Sequence, residues 1–155
     1  MISFENINKP DWKYELLHHY VNIVHNYVFY HHYYVLHKER LLKDQPLVVI
    51  CNHQNGLSDA LGILFALRGD SRRPVFIARA DIFKREIAAK LLRFLKIMPA
   101  FRVQDTGVEN LGENEAIFNK SARILLENGI VGLFPEAGQV YSEHLQLPVL
   151  HHLHP

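Results

Sequence analysis

Cysteine is nearly absent from this 155-residue chain: Cys51 is the single one. An internal disulfide framework is therefore excluded, and a reducing compartment fits. No basic stretch leading into a short apolar run and a small-residue cleavage site opens the sequence, so no signal peptide is expected. Internal repeats, low-complexity tracts and linkers are lacking too, which predicts one domain over 1–155. Charged residues make up 21% and hydrophobic ones 48%, which excludes a disordered chain and leaves enough apolar material for a core. Net charge is also small, at +1. That balance hides an asymmetry. Residues 68–102 hold ten of the seventeen lysines and arginines, opposed there only by Asp70, Asp81 and Glu86. A patch of this kind points to phosphate, on lipid headgroups or on nucleic acid, or else to a solvated charged face.

Between Leu16 and His37 there is no charged residue, glycine or proline. The length approaches that of a membrane span. Its six histidines and two asparagines argue against one, because such groups are costly in hydrocarbon. Leu17, Tyr20, Val21, Val24, Tyr27 and Val28 recur at helical spacing and predict an apolar face, with His18, His25 and His32 seven apart on another. Residues 1–37 thus read as an amphipathic, aromatic and His-rich helical segment, suited to a membrane interface or to covering a soluble core. The end, "HHYYVLH", also has strand character. None of the six histidines has another three or four positions away, so the helix offers no paired metal ligands, and no metal is expected.

Strands and helices alternate over 38–155. "PLVVIC" (46–51), "PVFIAR" (74–79) and "IVGLF" (130–134) read as buried strands, and "IMPAFR" (97–102) as an extended piece broken by Pro99. A helix over Asp59 to Leu67 with Ser58 as N-cap is expected. A second, capped by Asp81, carries Phe83, Ile87, Leu91, Leu92 and Leu95 on its apolar face. The third has Glu113 and Glu115 near its start, Phe118, Ala122 and Leu125 inward, and Gly129 at its end. This alternation predicts an α/β fold with a largely parallel central sheet flanked by helices. Ligands bind beyond the carboxyl ends of strands in such sheets, and His53, Arg102 and Glu136 fall there.

"CNHQNGLSDAL" (51–61) places a histidine and a carboxylate around a small polar loop. A neutral His53 imidazole is able to take a proton from a hydroxyl while Asp59 holds its tautomer. A buried, hydrogen-bonded histidine is the competing reading. "FPEAG" (134–138) ends a strand in a proline turn with Glu136 and Gly138, and "PAFR" (99–102) ends in Arg102, suited to a phosphate.

"NHQNGLSD", "MPAFR" and "LFPEAG", in this order, resemble the first three motif blocks of the glycerolipid acyltransferase family, over about residues 30–148. The lysophosphatidate acyltransferase branch is the most similar. The resemblance implies that His53 and Asp59 form a catalytic general-base dyad, that Arg102 binds the acceptor's phosphate, and that Glu136 and Gly138 shape the acceptor site. It implies acyl-CoA or acyl-carrier protein as co-substrate donor, a lysophospholipid acceptor, and neither metal nor cofactor. It also implies the cytoplasmic face of a membrane, peripheral or monotopic, with no nucleic-acid partner. Five residues separate His53 from Asp59 where the family has four, and Ala137 stands where the family has glycine. The sequence after the third block is short for the family, so a C-terminally truncated member is expected. A catalytically inactive, membrane-binding remnant is the alternative. A nucleic-acid domain lacks a recognisable motif. A hydrolase lacks a nucleophile elbow around Ser58, and Cys51 reads as core.

Overall fold

The computed structural model describes residues 7–9, 11–25, 28, 34–41, 43–52, 57–101 and 111–134, with Leu57 and Leu111 described only as backbone. Four short strands build the centre: β1 (Leu47–Ile50), β2 (Pro74–Arg79), β3 (Ile97–Ala100) and β4 (Ile130–Leu133). Every pairing is parallel, in the order β1-β4-β2-β3. Among the described residues four α-helices accompany them: α1 (Trp12–Val24), α2 (Leu57–Ala66), α3 (Glu86–Phe94) and α4 (Leu111–Leu126). The α/β fold with a parallel sheet and an N-terminal helix is as expected.

Parallel strands need helical crossovers, and these pack on both faces of the sheet, but β1, expected to be buried, is an edge strand that leaves Val48 and Ile50 exposed. On one face Ala60, Ile63 and Leu67 from α2 and its end pack with Phe76, Ile97 and Ile130, joined by Phe83, Leu92 and Leu95. On the other, Ile124 of α4 packs with Val75, Met98, Val131 and Ile7. Gly132 allows this close packing at the centre. A Cβ there would lie 2.5 Å from Cδ1 of Phe76.

α1 forms an outer layer over α2 and α3. Asp11 caps it, accepting a 2.9 Å hydrogen bond from the Lys13 amide. The Tyr14 ring meets Phe94 edge-on at 6.2 Å, and the rings of His18 and His25 lie 6.5 and 4.5 Å from Phe65. Arg73 makes a forked ion pair with Glu15, with a 2.7 Å contact from Nη2. Lys96, buried and held at φ 60°, donates to the carbonyls of Ile7 and Lys9 at 2.7 and 2.8 Å. Its ammonium sits 4.9 Å from the Tyr14 ring centre.

Several local expectations are corrected. The helix in the N-terminal segment starts at Trp12, and its inward face carries Tyr14 and the histidines His18 and His25. Tyr20, expected to share one apolar face with Leu17, Val21 and Val24, is exposed together with Trp12, Leu16 and Ile23, while those three are half-buried. The reason is that both sides of this helix are apolar or aromatic, so hydropathy alone leaves its rotation open. Ser58 lies inside the first turn of α2 rather than at its cap. Asp81 lies in a 3-10 turn (Ala80–Phe83) before α3 and pairs with Arg79 instead of capping α3. Pro99 does not break β3; it pairs in register with Ala78, and β3 is an edge strand, where proline's missing N–H is tolerated. Ile87, Leu91 and Phe118 were expected inward, and all three are exposed.

α4 ends as a Schellman turn. The Gly129 amide donates to the Ile124 carbonyl at 2.8 Å and the Asn128 amide to that of Leu125 at 2.9 Å, with Asn128 at φ 58°. Gly129 is required by proximity, since a Cβ would meet the Ile124 carbonyl oxygen at 2.6 Å.

Candidate active site

In sequence, the candidate residues follow the carboxyl ends of the strands. β1 and β4 are adjacent, with Ile50 paired to Leu133, and the Cys51 amide continues the ladder to the Leu133 carbonyl at 3.2 Å. His53 lies three residues beyond Ile50 in sequence, and Glu136 three beyond Leu133. Both, with Gly138, lie outside the described residues, as does Arg102. The described chain therefore fixes where their segments leave the sheet. The His53 and Glu136 segments leave neighbouring strands, about 5 Å apart, while that of Arg102 leaves β3, two positions from β4 and so roughly 10 Å further along.

Asp59 is described. It stands in the first turn of α2, where a carboxylate complements the helix dipole, and it is half-buried. It lines a cavity of about 440 Å³ between the end of β1, α2 and the end of α1. Asn52, Ser58 and Asp59 give this cavity a polar side; Leu41, Val49, Ile63, Ala66 and Leu67 give it an apolar wall. Gly62 also lines it, and a Cβ there would meet nothing within 4 Å. His25 from α1 borders the same space. A volume of this size is that of a small-molecule pocket.

Electrostatics separate the candidate groups. Burial pushes the Cys51 thiol above its ordinary value, and the Asp59 carboxylate pushes it the same way. Cys51 therefore stays a neutral thiol, the opposite of what a nucleophile needs. Among the described residues no cluster of histidine, cysteine and carboxylate is placed to hold a metal.

One residue at the site was missed in sequence. Asn114 of α4 grips the backbone of Phe101 from both sides: its Oδ1 accepts from the Phe101 amide at 2.8 Å and its Nδ2 donates to the Phe101 carbonyl at 2.6 Å. The side chain does for Phe101 what a neighbouring strand would do, immediately before Arg102. An asparagine inside "GENEAIF" carries no signal of this, because the contact joins segments thirteen residues apart.

A family model described as Acyltransferase matches residues 32–151. The chain belongs to the acyltransferase family. Its expected substrates are therefore an acyl donor and a lipid acceptor, as in glycerolipid synthesis. The matched span covers all four strands of this acyltransferase and leaves α1 outside it. Comparison with curated proteins and with solved structures returned no match.

Proposed function

We propose that this acyltransferase is a lysophosphatidate acyltransferase. The observation that carries the reading is the cavity bordered by Asp59, at the point where the chain passes from β1 to α2 through His53. His53, oriented by Asp59, removes the proton from the free hydroxyl of lysophosphatidate or a related lysophospholipid. The hydroxyl oxygen attacks the thioester carbonyl of acyl-CoA or acyl-carrier protein. A tetrahedral intermediate forms, the carbon–sulfur bond breaks, and the proton held by His53 leaves with the thiol. Arg102 holds the acceptor's phosphate, and Glu136 with Gly138 shapes its glycerol site. The apolar wall built by Val49, Ile63, Ala66 and Leu67 accommodates hydrocarbon.

The same reading puts the protein at the cytoplasmic face of a membrane. Among the described residues no helix is long and apolar enough to cross one. α1 instead exposes Trp12, Leu16, Tyr20 and Ile23 at spacings of four, four and three, a stripe with the aromatic character of an interfacial helix.

The test is acyl-CoA-dependent thiol release with lysophosphatidate. His53→Ala should abolish it in a folded protein, and Asp59→Asn should lower kcat by about a hundredfold or more. Release that persists in His53→Ala would refute the general-base assignment.

A further inference from the structure

The segment from Ala80 to Phe94 is half inside and half outside. Phe83, Leu92 and Leu95 face the core, as the sequence pattern predicts, and Ala89 is buried beside them in the helix. Ile82, Ile87 and Leu91 do not: they are 43%, 84% and 54% exposed. Ile87 and Leu91 are four apart on α3 and so lie on one side of it. That side is turned away from Ala89 and Leu92; its far end, at Phe94, meets Tyr14 of α1, and Ile87 and Leu91 stay exposed beyond that contact. Lys84, Arg85 and Lys90 are exposed on the same short segment, with Arg93 half-buried. Acidic opposition is slight. Asp81 is paired with Arg79, and Glu86 with Lys90 at 2.7 Å in a fully solvated pair of little strength.

We propose that the outer side of α3 and its preceding turn dock on an anionic lipid surface, with Ile82, Ile87 and Leu91 entering the headgroup boundary and Lys84, Arg85 and Lys90 meeting lipid phosphates. Charge selects this occupant. A second copy of the chain would set this cationic patch against itself. Nucleic acid would need stacking surfaces, and the exposed apolar side chains here are aliphatic. Aliphatic residues rimmed by lysine and arginine are what a short interfacial helix requires. α3 adjoins α1 through the Phe94–Tyr14 contact, so the patch is a second docking element beside the stripe of α1. The inference rests on the lipid-directed reading above and names the surface on which that chemistry takes place.

The experiment is vesicle flotation of the full chain. Phosphatidylcholine vesicles with and without phosphatidylglycerol are compared, across a salt series. Phosphatidylglycerol should strengthen binding, and added salt should weaken it. The triple variant Lys84→Gln, Arg85→Gln, Lys90→Gln should lower affinity for the anionic vesicles about a hundredfold at low salt and flatten the salt dependence. Ile87→Ser with Leu91→Ser should lower it about tenfold or more. These positions are exposed, so circular dichroism should report an unchanged fold. Unaltered binding by both variants would overturn the proposal, as would equal binding to neutral vesicles, or binding to single-stranded RNA in preference to vesicles. Acyl transfer from a short-chain lysophosphatidate dissolved as monomers separates the two readings. Transfer retained by variants that no longer float supports both. Patch-dependent flotation without any transfer by the wild type leaves the docking surface standing and removes the catalytic assignment.

Discussion

At the scale of single residues, three side chains decide more than their types suggest. Asn114 holds the Phe101 backbone by two hydrogen bonds, next to Arg102. Asn114→Leu keeps the volume and removes both bonds. If Arg102 grips the acceptor's phosphate, this variant should raise KM for lysophosphatidate by about tenfold while leaving kcat nearly unchanged, because the error is one of placement. Asn114→Asp, which retains the acceptor, should fall between. Steady-state kinetics on both variants checks this. His18 shows how a polar residue becomes part of an inner layer. Its Nε2 is buried and makes no hydrogen bond among the described residues. Burial lowers its pKa, and the Arg73 guanidinium lowers it further, against a smaller opposing effect of Glu15. The sign follows directly. Below the ordinary imidazole value of 6.5, the unfolded chain binds a proton at His18 that the folded chain resists, so folded stability falls as pH drops through that window. Urea midpoints measured from about pH 7 to 5 should fall less steeply in His18→Phe than in the wild type. Tyr14 is the third: burial raises its hydroxyl to about 12, so it stays neutral throughout this range.

At the scale of elements, the strands were the most legible part. Pro74–Arg79 was delimited to the residue, because a parallel strand covered on both faces reads as an unbroken apolar run ended by charge. The helices were legible in position and less so in rotation. α3 carries apolar residues over more than half its circumference, and only packing showed that Leu92 turns inward while Ile87 turns out. β4 illustrates a constraint that composition hides. It is central, and its Gly132 faces Phe76 at a distance no side chain fits. Gly132→Val should therefore cost about 1–3 kcal/mol or more of stability by overpacking, measured as a fall in the urea midpoint at unchanged slope. The links between elements are equally hidden. Arg72 pairs with Asp70 and donates to the Asn128 carbonyl at 2.9 Å and to that of Gln45, joining the turn after α2 to the chain entering β1 and the end of α4. Nothing in the basic run from 68 to 102 distinguishes this structural arginine from one left for solvent.

At the scale of the whole molecule, α1 is held to the sheet domain by a small number of specific contacts. Glu15 is bound by Arg73, and the backbone of Ile7 and Lys9 by a buried Lys96 whose pKa is lowered mainly by burial. Removing these should free the outer layer first and leave the four strands paired. In Arg73→Met with Lys96→Met, the amides of Trp12–Val24 should lose hydrogen-exchange protection while those of β2 and β4 keep theirs. Loss of protection everywhere at once would show instead that α1 and the sheet unfold as one unit.

By itself the sequence determined the α/β class, the strand order along the chain, and the motif blocks at strand ends that mark the acyltransferase family. These follow from local periodicity and from short, contiguous groups of residues, both of which survive in one dimension. It did not reveal that β4 inserts between β1 and β2. That insertion makes the His53 and Glu136 segments leave neighbouring strands and sets Arg102's farther off. Nor did it reveal the grip of Asn114, the cavity beside Asp59, or the outward turn of Ile87 and Leu91. Each of these depends on which residues distant in sequence come to share a surface. Hydropathy records how much a side chain gains by leaving water, and only the packed tertiary structure decides which of them do.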